Sequence, residues 1–315
     1  MKLISAFFRL VRLPNLVFIA LTQVLFLYCI EQPIFLEANL QPNVNGIYFL
    51  LLTIASVFIA AAGNIINDYF DLNIDKINKP NKVVVDKIIH RRSVIIWHLV
   101  LSLIAIAFGF YIDVQTSVRF LGVANLISVV LLFFYSVSLK KKFLIGNILI
   151  SLLTAWVILV ITYCETNHLL NVFRKGTSLE IEKLSRLTFL YAGFAFIISL
   201  IREVIKDMED IEGDRKYGCK TMPIVWGVNA SKIFVAVWLI VLIVALSIVQ
   251  VYVLQFRWWF SAGYCIAAII IPLIWIFIKL FKAQSAQDFH QLSTVIKVVM
   301  LTGILSMLFF KFYTP

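Results

Sequence analysis

The sequence predicts an all-α membrane protein: a nine-helix transmembrane bundle around a central cavity, forming one domain over residues 1–315. Three observations predict it. Hydrophobic residues make up 62% of the chain and charged residues only 14%, which no soluble domain of this length sustains. Apolar runs of membrane length recur from end to end. Lys and Arg gather on alternate loops.

The runs, each near the span of a bilayer, are 14–30, 46–66, 93–112, 119–139, 143–163, 187–205, 232–254, 258–280 and 294–313. The first follows Lys2, Arg9 and Arg12, as a signal peptide would, but it has no small-residue cleavage site and more spans follow, so it is read as a retained helix. The fourth and fifth are parted only by Lys140, Lys141 and Lys142, which must form the turn; Lys141 and Lys142 read as topology anchors. Trp258 and Trp259 open the eighth run as an interface anchor. Two loops are longer. Residues 76–92 are basic, and residues 164–186 mix charges without a chemical motif. Cys29, Cys164, Cys219 and Cys265 are far apart and read as apolar filler.

Orientation follows from the cations. Arg119, Arg174, Lys175, Lys183, Arg186, Arg257 and Lys311 fall on one face, and the remaining 21 of the 28 Lys and Arg on the other. The positive-inside rule makes the richer face cytoplasmic, with the N-terminus inside and the C-terminus outside. The net charge of +11 mostly expresses this asymmetry, with attraction to anionic lipid or a phosphorylated substrate added. It gives no argument for nucleic acid, and no protein partner is implied. The expected location is a bacterial inner (plasma) membrane, with the functional site facing the cytoplasm.

Two segments on that face share one pattern of acids. The first runs from Asn64 through Asn67, Asp68 and Asp71 to Asp75; the second runs from Glu203 through Lys206, Asp207 and Asp210 to Asp214. Each reads D-x-x-D-x-x-x-D with a polar residue four positions before the first Asp. Offsets of three, four and seven fall on one helical face, so each segment is expected to aim three carboxylates one way. Glu209 and Glu212 lie off that face and read as solvated. The helices carrying the sets are four spans apart and therefore parallel, which predicts an internal repeat of helices 1–4 and 5–8 with the site at their interface.

Carboxylate oxygens suit Mg²⁺, which commonly bridges to substrate phosphates. Two facing sets, Asp68, Asp71, Asp75, Asp207, Asp210 and Asp214, are expected to hold Mg²⁺ ions and a diphosphate, with Arg91, Arg92, Lys140, Lys206 and Arg215 taking charge on the departing group. In a lipid-facing bundle the expected substrate is a polyprenyl diphosphate. Ionisation would leave an allylic cation, which a dry aromatic cavity protects until a lipophilic acceptor attacks. A transporter is the rival class, but transporters place acids near mid-membrane and break helices there. The four histidines show no ligand spacing.

These residues resemble the UbiA superfamily of intramembrane prenyltransferases. Its first motif matches Asn67-Asp68-Tyr-Phe-Asp71-Leu-Asn-Ile-Asp75, and its second matches Asp207 through Asp214 followed by Gly218-Cys-Lys-Thr221-Met-Pro223. Arg12-Leu-Pro-Asn15, Tyr135-Ser136-Val-Ser-Leu139-Lys140 and Gly146-Asn147 match further family positions. The resemblance implies catalytic roles for the six Asp and Tyr135. It also implies substrate-binding roles for Arg12, Asn15, Asn64, Asn67, Arg91, Lys140, Arg202, Lys206 and Arg215. The stretch Arg202–Asp214 is most similar to the geranylgeranylglyceryl phosphate geranylgeranyltransferase branch, which implies a glycerol hydroxyl as acceptor in membrane lipid biosynthesis. The alternative acceptor is an aromatic quinone precursor, a hydroxybenzoate or dihydroxynaphthoate. One departure concerns the acceptor: many members carry R-P-I-P-S-G after the first motif, and here the run is Lys82-Val83-Val84-Val85-Asp86-Lys87.

Overall fold

The computed structural model describes residues 2–37, 39–81, 83–165 and 179–313. Lys82 and residues 166–178 of the predicted 164–186 loop lie outside the described residues. Among the described residues the regular structure is helical, apart from one β-bridge between Val85 and Ile89.

A short helix, α1 (Lys2–Leu10), precedes α2 (Leu13–Glu37), α3 (Gly46–Asn78), α4 (Arg91–Gln115), α5 (Leu121–Val137), α6 (Ile145–Cys164) and α7 (Leu179–Glu209). Two small helices, α8 (Ile211–Lys216) and α9 (Met222–Val225), then lead to α10 (Val228–Leu254), α11 (Trp259–Lys282) and α12 (Ala286–Phe312). Among the described residues, eight helices are long and apolar enough to cross a membrane. The predicted run 119–139 forms α5, which is apolar but only 17 residues long. Its ends explain the shortening. Phe120 takes a left-handed conformation at φ 64°, and Asp113 accepts from the Leu121 and Gly122 N–H groups at 2.9 and 2.8 Å, satisfying two open donors of the first turn. At the other end Ser138 leaves helical geometry and Leu139–Lys141 tightens into a 3₁₀ turn.

The chain forms two compact units, residues 1–140 with 156–189 and residues 141–155 with 190–315. In the first unit α3 packs against α2, α4 and α5. Gly109 and Gly122 let α4 and α5 approach closely: a Cβ on Gly109 would meet the Gly122 Cα at 2.8 Å. A buried cluster joins α1 (Ala6, Leu10) to α3 (Ala61, Ile65, Leu72) and to the loop valines Val83, Val84 and Val85. The loop is thus seated by its own apolar side chains. The Asp86 N–H donates to the Ile89 carbonyl at 2.9 Å and turns the chain back with φ 68°.

A polar cap closes another end of this unit. Glu165, almost fully buried, accepts from the backbone N–H groups of Asn43 and Val44 at 2.8 and 3.1 Å. The Asn43 amide reaches the Cys164 carbonyl at 3.0 Å, and Ser117 donates to Asn43 at 2.9 Å. Glu31 lies in a π-helical turn of α2 (Leu27–Glu31). It is fully buried, and neither of its carboxylate oxygens has a hydrogen-bond partner among the described residues.

In the second unit the core comes from α7, α10, α11 and α12, with Ile201, Ile205, Leu239, Leu273 and Ile296 among the buried side chains. Lys232 is buried, donates to the Ala283 carbonyl and sits over the Phe289 ring, so its charge is matched within the fold. On α10 the side chains of Ile233, Val237, Ile240, Val244, Ile248 and Val251 remain exposed. Their spacing of three and four residues makes an apolar stripe suited to lipid.

Candidate active site

The first acid set lies on α3 because that helix runs for 33 residues, well past the end of its apolar stretch. All three Asp therefore keep helical spacing and share a face, as expected. Two of them are engaged by cations of the protein. Arg12 donates from Nη2 to Asp68 Oδ1 at 2.9 Å. Lys140 Nζ lies 2.5 Å from Asp71 Oδ1. Asn67 closes a triangle: its amide donates to Asp71 Oδ2 at 2.8 Å, and its Oδ1 accepts from Lys140 at 3.0 Å.

The backbone brings Arg12 there. Arg12 joins α1 to α2 in a left-handed conformation, φ 56° and ψ 56°, which is costly for a residue with a Cβ. Asn64 stabilises this break by donating to the Val11 carbonyl at 2.9 Å. Asn15 closes the same turn through its backbone, N–H to the Arg12 carbonyl at 2.8 Å. Arg91 stands over the Tyr69 ring, 5.9 Å from its centroid, beside Asp68 in sequence. Tyr135 is half-buried on the last turns of α5, five residues before Lys140. Of the residues expected in this half, Asn67, Asp71 and Lys140 form one network, Arg12 pairs with Asp68, and Asn64 braces the backbone next to Arg12.

The second set departs from expectation. α7 ends at Glu209, Asp210 takes φ −97° and ψ 8°, and α8 starts at Ile211. Asp207 lies on α7, Asp210 at the break and Asp214 on α8, so the three do not share one uninterrupted helical face. Local hydrogen bonds bridge the break, Asp210 N–H to the Lys206 carbonyl at 2.9 Å and Asp214 N–H to the Asp210 carbonyl at 3.2 Å. Gly213, a poor helix former, lies within the short α8. After it, Gly218 turns at φ 70°, and the Lys220 N–H donates to the Lys141 carbonyl at 2.7 Å.

Asn147 donates to Asp207 Oδ2 at 2.9 Å. The sequence carried this residue only as part of Gly146-Asn147 and gave it no role; that pair was the available signal. Glu203 gathers Arg202 at 2.8 Å and Lys206 at 3.7 Å. The Nε of Arg202 is buried without a partner among the described residues. Arg215 is exposed. Glu209, expected to be solvated, is paired with His290 at 2.9 Å, and no sequence spacing pointed to that pair.

Chemically, each half offers hard carboxylate oxygens beside Lys, Arg and amide donors, a composition that fits Mg²⁺ and a polyphosphate. Among the described residues no three acidic, histidine or cysteine side chains are drawn together tightly enough to ligate one ion as they stand. In the first half, the protein's own cations occupy carboxylate oxygens instead.

Residues 24–304 match the model of the UbiA prenyltransferase family. The digeranylgeranylglyceryl phosphate synthase of Methanosphaera stadtmanae is 31% identical over 262 residues, covering 82% of this chain and 86% of that protein. An apo structure of a UbiA homolog from Aeropyrum pernix K1 superposes with a TM-score of 0.61 at 15% identity, over 98% of this chain and 99% of that one. A UbiA homolog from Archaeoglobus fulgidus bound to DMAPP and Mg²⁺ gives 0.56 at 14% identity, over 96% and 98%. The homologues are archaeal, so the expected bacterial membrane has no support and is withdrawn.

Proposed function

This chain belongs to the UbiA prenyltransferase family, and on that premise we propose that it transfers a prenyl group from a polyprenyl diphosphate to the free hydroxyl of a geranylgeranylglyceryl phosphate-type lipid. It is a multi-pass integral membrane protein and a prenyltransferase. Relatives named as digeranylgeranylglyceryl phosphate synthases support the acceptor. The Arg202–Asp214 run supports it independently of those names.

The observation that carries the mechanism is the matched equipment of the two acid sets. Asp68 and Asp71 stand with Arg12, Lys140 and Asn67, while Asp207 stands with Asn147 beside the Arg202–Glu203–Lys206 group. In this reading the nine predicted runs all cross the membrane, the first four repeated in parallel by the next four, and the six Asp converge on one site at the cytoplasmic face. Mg²⁺, when bound, offsets the charge of the diphosphate and makes it a better leaving group. Asp68, Asp71, Asp75, Asp207, Asp210 and Asp214 would hold the ions. Arg12, Lys140, Arg91, Lys206 and Arg215 supply donors for diphosphate oxygens, and Tyr135 lies beside the departing group. The bundle keeps water from the allylic cation, because an alcohol is a weak nucleophile and the cation must persist until it attacks. The C–O bond to diphosphate breaks, the hydroxyl oxygen forms the new C–O bond to the allylic carbon, and the hydroxyl proton passes to the released diphosphate. The acceptor brings a phosphate of its own, whose charge the loop cations Lys79, Lys87, Arg91 and Arg92 would offset.

The test is competition between geranylgeranylglyceryl phosphate and hydroxylated aromatic acids for labelled geranylgeranyl diphosphate, with products identified by mass. Ether formation on the glycerol oxygen is expected. Transfer to an aromatic carbon alone would overturn the acceptor and leave the family unchanged.

A further inference from the structure

Two of the three acids of the first set, Asp68 and Asp71, are already paired with cations of the protein. Asp71 has both carboxylate oxygens engaged, Oδ1 by Lys140 and Oδ2 by Asn67, and Asp68 holds Arg12 through Oδ1. A divalent ion on either carboxylate would stand a few ångström from an ammonium or guanidinium, and like charges at that distance in a partly buried site repel strongly. Lys140 is the more tightly held, with 11% of its side chain exposed and both Asp71 and Asn67 as partners. Lys140 reaches Asp71 on a flexible four-carbon stem, and the Arg12 side chain keeps 38% of its surface exposed. Asp207 offers a contrast. Its observed partner is the uncharged Asn147 amide, while nearby Arg202 and Lys206 are both held by Glu203.

We propose that Arg12 and Lys140 are exchange cations. They neutralise Asp68 and Asp71 until a divalent ion arrives, then leave those carboxylates and carry their charge to the oxygens of the diphosphate that comes with the ion. This rests on the reading of the six Asp as the metal–diphosphate site and adds an order to it. Metal alone must displace both side chains from their carboxylates, which leaves Lys140 the uncharged Asn67 oxygen in place of an anion. Metal with diphosphate gives the displaced groups new acceptors, so the two bind with positive coupling, and linkage makes that coupling reciprocal. Bare metal is thereby held weakly in the first set until substrate is present.

The test uses the full chain in detergent, with Mn²⁺ as a spin probe for Mg²⁺ and no prenyl substrate. Free Mn²⁺ is followed by electron paramagnetic resonance during titration of the unaltered protein, Lys140→Met, Arg12→Gln and Asp71→Asn, with and without inorganic diphosphate. Lys140→Met and Arg12→Gln are expected to bind Mn²⁺ alone roughly tenfold more tightly, since each loses a competing cation, and to lose most of the enhancement given by diphosphate. Asp71→Asn is expected to bind less. If Lys140→Met is poorly folded without metal, its thermal midpoint should rise with Mn²⁺ more than that of the unaltered protein, and Arg12→Gln tests the same exchange at the other carboxylate. Binding that Asp71→Asn weakens while Lys140→Met and Arg12→Gln leave unchanged or weaken would overturn the exchange and spare the metal site. Absence of Mn²⁺ binding in all four proteins, with or without diphosphate, would overturn the exchange together with the metal reading.

Discussion

Asn147 holds Asp207 through one neutral hydrogen bond of 2.9 Å from Nδ2 to Oδ2, where Arg12 holds Asp68 through a charged one of the same length. Orienting partners of metal-binding carboxylates typically carry 10–100-fold in affinity or activity. Asn147→Ala should therefore lower kcat/KM for prenyl transfer by about one to two orders of magnitude. It should also raise the Mg²⁺ concentration for half-maximal rate. An unchanged metal dependence would assign Asn147 to packing alone.

Asp68→Asn and Asp207→Asn should each remove nearly all transferase activity at saturating Mg²⁺. The carboxamide keeps the shape but lacks the charge that holds a hard cation. Circular dichroism and size-exclusion profiles should match those of the unaltered protein. Full activity in either variant would show that the residue is no ligand.

Asn64 is expected to act through the backbone. Asn64→Ala removes the donor to the Val11 carbonyl and should cost about 1 kcal/mol of stability, the usual worth of one such bond. The activity loss should resemble that of Arg12→Gln, because the left-handed break that delivers Arg12 to Asp68 loses its brace. A double-mutant cycle on kcat/KM is expected to show strong non-additivity between the two. Independent, additive effects would refute the coupling.

Stability should fall with rising pH near neutrality because of Glu165. Burial pushes its carboxyl up to about 7, against two backbone N–H groups that pull it down. The folded chain keeps this proton at pH values where the unfolded chain has lost it. The stabilisation is therefore complete below the ordinary carboxylate range and is lost as pH rises through about 7, by at most about 3 kcal/mol. Thermal midpoints measured from about pH 5 to about pH 9 should decline, and Glu165→Gln should flatten that decline. A slope unchanged by the substitution would assign it to other groups.

A reporter fused after Pro315 should be active only outside the cytoplasm, and one placed in the Lys140–Lys142 turn only inside it. The opposite result at either point would break the nine-span topology.

The long apolar helices and the helical spacing of the first acid set were legible in the sequence. The three short helices were not, and eight of the nine predicted runs form helices of spanning length among the described residues. Hydrophobic run length and the three-four-seven spacing are local properties, and α3 preserves both. The second set was legible in composition and not in geometry. The spacing of Asp207, Asp210 and Asp214 is that of a helix, but the backbone leaves helical geometry at Asp210, and no residue there demands a break as a proline would. Asn147 to Asp207 and His290 to Glu209 span 60 and 81 positions. Such contacts depend on tertiary packing, which periodicity does not encode. In sequence the valine loop is only a departure from the family's proline-containing run; burial shows what the valines do in its place.

That loop separates two tasks along a few residues. Val83, Val84, Val85 and Ile89 are fixed in the unit's interior, while Asp86, Lys87 and Ile88 project outward. Changes at Lys87 and Ile88 leave the anchoring layer intact, whereas Asp86, left-handed at φ 68°, makes the turn and is constrained by it. Residues 87 and 88 are therefore free to diverge between lineages while the layer beneath them stays as it is, and libraries confined to these two positions keep the anchoring of the loop.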